Sequence, residues 1–391
     1  VIDRRVLGEI PPKPHTVFKR PQGLASEFVL TRDGFSGGFS LLYQADAPTA
    51  VVGNAFWKGD ASRLLGVAVP NSEIPLARRH VQTWKAPAGQ NLIDSRTALW
   101  RHETCRVSVV RGRLTGGDFA FTNADGDELW FFKEGSGALL TMFGRLDFAP
   151  NDYVLIPRGI PYVIEHKGDI EAFLIEGDPG IGIPAEFRNP HGQLKLEAPY
   201  THRDFRSPSQ LLSAQDAQRF ARILTLRNSV VSEHHYVRSP SQTIGWDGSV
   251  YPVAFSILDY LPKTGKIHLP PNLHTTFTSK QFVVCSFVPR MVDYAEGAIP
   301  CPYPHANVNC EELLYYVRGN FTSRKGIQEK SVSWHPVGMP HGPHPGNYFG
   351  SVGHKSTDEL AVMLDTWFPL AITRAALEIE DPGYPLSWKP D

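Results

Sequence analysis

PHANVNCEELLYYVRGNFTSRKGIQEKSVSWHPVGMPHGPHP, running from Pro304 to Pro345, is the stretch that decides how the rest of the chain is read. His305 stands at its start, Glu312 follows seven positions later, and His341 lies near its end. Two neutral imidazoles and one carboxylate can occupy one face of an octahedral metal and leave the other face open. Ferrous ions held in this way take O2 and a chelating substrate at the open positions. Glu311 competes with Glu312 for the carboxylate role. Neighbouring residues of a strand point to opposite faces, so only one of the two can look inward.

Six residues separate Glu312 from Gly319, and Pro336-Val-Gly338-Met-Pro-His341 comes downstream. E-x6-G followed by P-x-G-x-x-H resembles the two-part metal signature of the cupin barrel, where one strand pair supplies a histidine and the glutamate and a later pair the second histidine. The interval selects Glu312 and leaves Glu311 as a solvated or supporting carboxylate. The same skeleton occurs earlier. Glu128 is followed by six residues and Gly135, and Pro157-Arg-Gly159-Ile-Pro-Tyr162 matches the later half. This copy carries Tyr162 in place of a histidine, with Asn123 and Asp125 rather than a histidine upstream of Glu128. An internal repeat therefore predicts two cupin barrels, of which only the C-terminal one keeps a metal triad.

The composition agrees with an all-β chain. With 34 Gly and 33 Pro, turns are frequent, and the segments between them are short and β-branched or aromatic. At 391 residues, two domains are the natural expectation. We expect an N-terminal arm over residues 1–50, a metal-free barrel over 51–180, a connecting region over 181–245, and a catalytic barrel with a C-terminal helix over 246–391. Strands are expected at Ala50-Val-Val-Gly, Leu65-Gly-Val-Ala-Val and Cys105-Arg-Val-Ser-Val-Val, and short helices from Ser213 to Leu224 and from Leu370 to Ile379. A net charge of −1 points to no nucleic acid and no membrane surface. No apolar run reaches the ~18 residues of a spanning helix, and the first residues lack the apolar stretch of a secretory signal. Cys105, Cys285, Cys301 and Cys310 form no C-x-x-C pair, so free thiols in a reducing cytoplasm are expected.

Seven of the fifteen histidines lie between His268 and His354, where they coincide with both halves of the metal skeleton. His335 reads either as a hydrogen-bonded loop histidine beside Trp334 or as a donor that orients substrate or oxygen. His344 and His354 read as outer donors or surface residues, His354 as surface. Spacing alone leaves His268 and His274 as loop residues.

At this point the residues resemble those of homogentisate 1,2-dioxygenases. The similarity runs from about Phe119 to the C-terminus and is densest over residues 240–389. It is carried by Trp246-Asp-Gly248, Phe287-Val-Pro-Arg290, Pro302-Tyr-Pro-His305, the E-x6-G interval, Pro340-His-Gly-Pro343 and Leu370-Ala-Ile-Thr373. The first 118 residues share little, apart from Gly34 to Tyr43, which resembles a shorter bacterial branch.

The resemblance implies a bicupin homo-oligomer that uses Fe(2+) and O2 to open homogentisate to maleylacetoacetate, a step of tyrosine and phenylalanine degradation. It implies His305, Glu312 and His341 as iron ligands and His268 as the base, since a histidine near neutrality suits removal of a phenolic proton. His335 falls on a family histidine upstream of the last ligand, on the substrate side. A family tyrosine corresponds here to Phe321, so Tyr315 or Tyr316 is left to offer a hydroxyl to the substrate. The alternatives are a dioxygenase for a related acid such as gentisate, a metal-dependent cupin isomerase or hydrolase, and a non-catalytic storage-type bicupin.

Overall fold

The short β-branched and aromatic runs fold as strands, and two antiparallel-dominated sheets carry most of them. The computed structural model describes residues 3–21, 23–177, 180–321 and 324–389. At the centre of the larger sheet, the strands Asp127–Thr141 and Tyr162–Gly177 pair from Asp127 opposite Gly177 to Thr141 opposite Tyr162. Asp152–Ile156 and Cys105–Gly112 flank them. The smaller sheet runs in the order Thr275–Thr278, Phe282–Phe287, Leu360–Thr366, Glu311–Arg318, Ser331–His335, Arg79–Gln82. Together they form the all-β, two-barrel cupin architecture with a few short helices.

The glycine of each E-x6-G interval has one physical reason in both barrels. Gly135 and Gly319 adopt φ +89° and +101°, and a Cβ would lie 2.4 Å from Ile170 Cδ1 in the first and 2.5 Å from the Asp358 carbonyl in the second. Gly135 sits beside a register shift within the strand Asp127–Thr141 and Gly319 directly after the strand Glu311–Arg318, and at each a side chain has no room beside the neighbouring segment.

Pairing crosses the division proposed from the repeat. Arg79–Gln82 joins the smaller sheet through Ser331–His335, and Val253–Ser256 joins the larger one through Asp152–Ile156. Ala371–Ile372 pairs with Arg96–His102. Near the N-terminus, Arg5–Gly8, Ser26–Thr31 and Phe39–Gln44 build a four-stranded sheet with Thr243–Gly248. The units 1–50, 51–180, 181–245 and 246–391 thus remain a proposal about sequence, overlaid by strands exchanged in space. Tyr315 marks the seam: its ring stacks on Phe173 with centroids 4.9 Å apart, and Tyr153 reaches across to Ser286 at 2.9 Å.

Three local expectations need correction. The Ser213 hydroxyl does cap a helix, accepting from Asp216 N, but that helix is only Ala214–Gln218, and Arg222–Arg227 is a strand. Buried Ile223, Leu224 and Leu226 lie in a strand paired on both edges, with Ala120–Asn123 and Val230–Tyr236, and tertiary pairing overrides helix propensity there. The C-terminal helix is likewise confined to Arg374–Glu378, capped by Thr373, because Ala371 and Ile372 are drawn into pairing with Arg101 and Trp100. The strand expected at Leu65–Val69 is absent. Ser62–Leu65 is one helical turn, and only Ala68 makes a bridge, to Thr373.

The N-terminal barrel is closed around Glu128 without histidine. Arg96 Nη1 donates to Glu128 Oε1 at 2.7 Å, while the Tyr162 hydroxyl and Trp130 Nε1 donate to Oε2 at 2.6 and 2.9 Å. The Arg96 guanidinium also lies 4.5 Å from the Phe121 ring centroid, and both charged residues are sealed from solvent. No helix among the described residues is long and apolar enough to cross a membrane. The four cysteines are free.

Candidate metal centre

Glu312 and His335 are directly opposed on the paired strands Glu311–Arg318 and Ser331–His335, so their side chains share a face. His305 and His341 come from loops, locked to each other by two backbone hydrogen bonds of 2.8 Å that form an isolated antiparallel bridge. One donor atom from each of His305, Glu312 and His341 falls within 4.8 Å of the others. His305 Nε2 lies 3.9 Å from Glu312 Oε2, and His341 Nε2 lies 3.7 Å from Glu312 Oε1. Glu311 points the other way, accepting from Trp334 Nε1 at 3.1 Å and from Leu370 N at 2.8 Å. The strand alternation that raised the choice between the two glutamates also resolves which one meets the histidines.

The tautomers follow from the outer contacts. Nδ1 of His305 faces the Tyr303 carbonyl at 3.2 Å, and Nδ1 of His341 faces the Met339 carbonyl at 3.1 Å. A carbonyl only accepts, so each Nδ1 carries the proton and each Nε2 presents a lone pair toward Glu312. His341 Nε2 is buried and has no hydrogen-bond partner. A lone pair orphaned beside a carboxylate and a second lone pair fits a cation.

His335 supports this face from behind. Its Nδ1 donates to Glu312 Oε1 at 2.6 Å, and its ring stacks on His341 with centroids 4.4 Å apart. Burial pushes the imidazole down to about 3, so it is neutral. Burial also opposes ionisation of Glu312, but the approach of His305, His335 and His341 prevails and holds its carboxyl well below the usual range. The Glu312 carboxylate beside it pulls His305 upward.

A cavity of ≈ 130 Å³ opens beside the triad, lined among others by His268, His274, His305, Glu312, Tyr316 and Arg324. That is roughly ten times the space one water needs. His268 stands at its rim, with Nδ1 3.5 Å from Asp293 Oδ2 and its ring edge-on to Tyr303. The Tyr316 hydroxyl lies 3.1 Å from Ser333 Oγ, and Phe321 packs edge-on against the Tyr316 ring at 4.7 Å. Tyr316 lines the cavity. His335 and Phe321, expected on the substrate side, do not line it and sit one layer behind. Tyr315 is turned to the seam between the barrels.

His344, read as an outer donor or a surface residue, is buried. It stacks on Trp388 at 3.9 Å with Nε2 2.7 Å from Ser387 Oγ, tying the C-terminal segment to the loop that follows His341. His354 is exposed at the cavity mouth. Sequence reasoning missed Asp293, which braces the His268 loop by accepting from Gly265 N and Leu269 N at 3.2 and 3.1 Å. It also missed Arg324. Neither follows a spacing rule, because both reach the site from irregular loops.

A family model described as homogentisate 1,2-dioxygenase N-terminal matches residues 111–257. A protein named "Putative dioxygenase" from Saccharolobus solfataricus is 34% identical over 97% of this chain and 97% of its own length. The chain belongs to the homogentisate 1,2-dioxygenase family. Relatives named homogentisate 1,2-dioxygenase from Rhizobium rhizogenes and Bradyrhizobium diazoefficiens are 27% and 26% identical over 67% and 66% of this chain. In each of those two the match takes in 60% of the relative's own length. Among solved structures, a cupin 2 conserved barrel domain protein from Leptotrichia buccalis superposes with TM-score 0.34 at 9% identity, covering 75% of this chain and 98% of that one. A Bacillus subtilis oxalate decarboxylase mutant gives TM-score 0.35 at 12% identity, covering 75% and 78%. The fold assignment rests on the strand pairing and not on these superpositions. Within the family, the chain is an enzyme of the dioxygenase kind, with a His/Glu site suited to a metal.

Proposed function

We propose that this chain is a ferrous-iron ring-cleaving dioxygenase that opens homogentisate to maleylacetoacetate. The observation that carries the proposal is the convergence of His305, Glu312 and His341, with each histidine's Nδ1 engaged by a carbonyl and His341 Nε2 left without a partner. Two neutral imidazoles and one carboxylate are the donor set that suits ferrous iron and leaves positions open. Bound there, iron supplies a redox-active meeting point for O2 and an electron-rich ring. Both oxygen atoms enter the product, so no external reductant is required.

The chain's own residues do the rest. Asp293 beside His268 Nδ1 holds the imidazole with Nε2 available to take the phenolic proton as the ring approaches. His335 fixes the direction of the Glu312 carboxylate, and Tyr316 presents a hydroxyl to the cavity. Phe287, Leu314, Ala361 and Met363 give the cavity an apolar wall against which an aromatic ring can lie, limiting water around the reacting atoms. The choice of homogentisate is supported by the names of the relatives.

Oxygen uptake by protein reconstituted anaerobically with ferrous iron tests the proposal, with homogentisate as substrate and gentisate and hydroquinone as controls. One O2 consumed per homogentisate, with neither control active, is the expected result. Uptake with gentisate alone would keep the reaction class and change the substrate. Bound iron without uptake on any of the three would remove the dioxygenase reading.

A further inference from the structure

We propose that Arg324 binds the substrate's carboxylate, so that the cavity selects aromatic acids over the matching neutral compounds. The ring chemistry is taken from the preceding proposal, and the anion site stands on separate observations. Arg324 lies five positions beyond Gly319 and lines the same cavity as Glu312 and Tyr316. Its Nη1 donates to the Gly342 carbonyl, which also accepts from Trp388 Nε1 at 3.1 Å. One corner of the guanidinium is thereby anchored beside the residue that follows His341. Its Nε is buried and has no hydrogen-bond partner.

The other cationic side chains around the cavity are already matched. Arg290 Nη2 pairs with Glu359 at 3.1 Å, and His268 faces Asp293. Among the described residues no carboxylate forms an ion pair with Arg324; of the two acids lining the cavity, Glu359 is paired with Arg290 and Glu312 is met by three imidazoles. A guanidinium kept from water without a counter-ion is costly, and a ligand carboxylate removes that cost. The guanidinium fork also matches a carboxylate better than any other side chain, two parallel N–H groups meeting two oxygens. Phe321 fits the same picture. It offers no hydroxyl at the wall behind Tyr316, which leaves orientation of an acidic side chain to the guanidinium. The ligand then spans the cavity with its ring toward His305, Glu312 and His341 and its carboxylate on Arg324, instead of spending that carboxylate on the metal.

Anaerobic calorimetric titration of the full, iron-loaded chain separates this from a purely structural role for Arg324. Two acid and amide pairs serve as probes: 2,5-dihydroxyphenylacetate with its amide, and phenylacetate with phenylacetamide. The intact chain is expected to bind each acid about 10- to 100-fold more tightly than its amide, the range of a charge-assisted hydrogen bond. R324Q should bring each ratio to near one with iron content unchanged. R324K, which keeps the charge and loses the fork, should fall between. Equal binding of acid and amide by the intact chain overturns the proposal, and so does R324Q retaining the full ratio, the outcome expected if the carboxylate sits on iron. Should R324Q fail to fold, the intact chain and R324K decide. An R324K ratio equal to that of the intact chain overturns the proposal. Failure of the dioxygenase reading would appear in oxygen uptake and leave the phenylacetate ratio where it was.

Discussion

The two barrels solve one electrostatic problem in opposite ways. Each buries a glutamate at the start of an E-x6-G strand, Glu128 in one and Glu312 in the other, and a buried carboxylate needs a cation. Register shows how closely the positions correspond. Glu128 stands opposite Ile156 and Glu176, and Glu312 opposite His335 and Asp365. In both, burial pushes the second acid, Glu176 or Asp365, up from the usual carboxyl range. In the first barrel the cation is part of the chain, the Arg96 guanidinium at 2.7 Å, and Tyr162 completes the shell where the other barrel has His341. In the second barrel three imidazoles approach the glutamate, and two of them aim lone pairs at the space beside it. One centre is finished when the chain folds. The other would be finished by an ion from solution.

The sharpest way to break this comparison is to remove His341. His341→Ala deletes a ligand outright. Its iron affinity should drop by more than the ~10- to 100-fold expected from losing a residue that merely orients a ligand, and oxygen uptake should vanish with it. His335→Phe should show the smaller effect. Iron per chain after anaerobic reconstitution measures both, and an unchanged iron content in His341→Ala would end the assignment of the triad. The matching change in the first barrel is Arg96→Met. It strands Glu128 without its cation and should cost about 3–5 kcal/mol in urea unfolding, while iron per folded chain stays the same. The double change Arg96→Met, Glu128→Leu should recover most of that loss. If Arg96→Met proves neutral, Glu128 does not depend on the guanidinium.

What the sequence revealed and what it hid follow the same division between local and long-range causes. The E-x6-G intervals were legible because a local backbone requirement, positive φ at Gly135 and Gly319, forces the residue type. The triad was legible because Glu312 is singled out by its interval to Gly319, and His305 and His341 stand at either end of the same short stretch, whose loops the backbone bridge brings together. Arg96 was invisible, since it stands 32 positions before Glu128 on a separate strand and no spacing rule links a guanidinium to its carboxylate. Arg324 and Asp293 were invisible for the same reason. The helix expected from Ser213 began at that residue and the one expected from Leu370 only after Thr373, and both were shortened when residues of the expected span were drawn into sheet pairing. The exchange of Arg79–Gln82 and Val253–Ser256 between barrels left no local trace at all.

The smallest effect concerns a charge the second barrel refuses. His274 lines the cavity, packs its ring against Phe287 at 5.0 Å, and has a buried Nδ1 without a partner. Burial first, then the Arg290 guanidinium and the neighbouring His268, push it down to about 3. Unfolded, the same imidazole titrates near 6.5. Between those values the unfolded chain binds a proton that the folded chain rejects, so stability falls as pH falls from about 6.5 toward 3. By pH 5 the loss from this residue amounts to about 2 kcal/mol. His274→Phe keeps a ring in place and removes the titration. Measured by urea unfolding at pH 7 and pH 5, the variant should therefore gain about 2 kcal/mol on the parent as the pH is lowered. Arg96, whose charge the first barrel matches with Glu128, supplies the contrast: without the guanidinium, burial pushes the Glu128 carboxyl up, so the stability difference between the parent and Arg96→Met should shrink as the pH is lowered over the same interval. A parallel loss in His274→Phe and the parent would mean that the cavity admits the proton, and that the second barrel tolerates a positive charge there before any metal arrives.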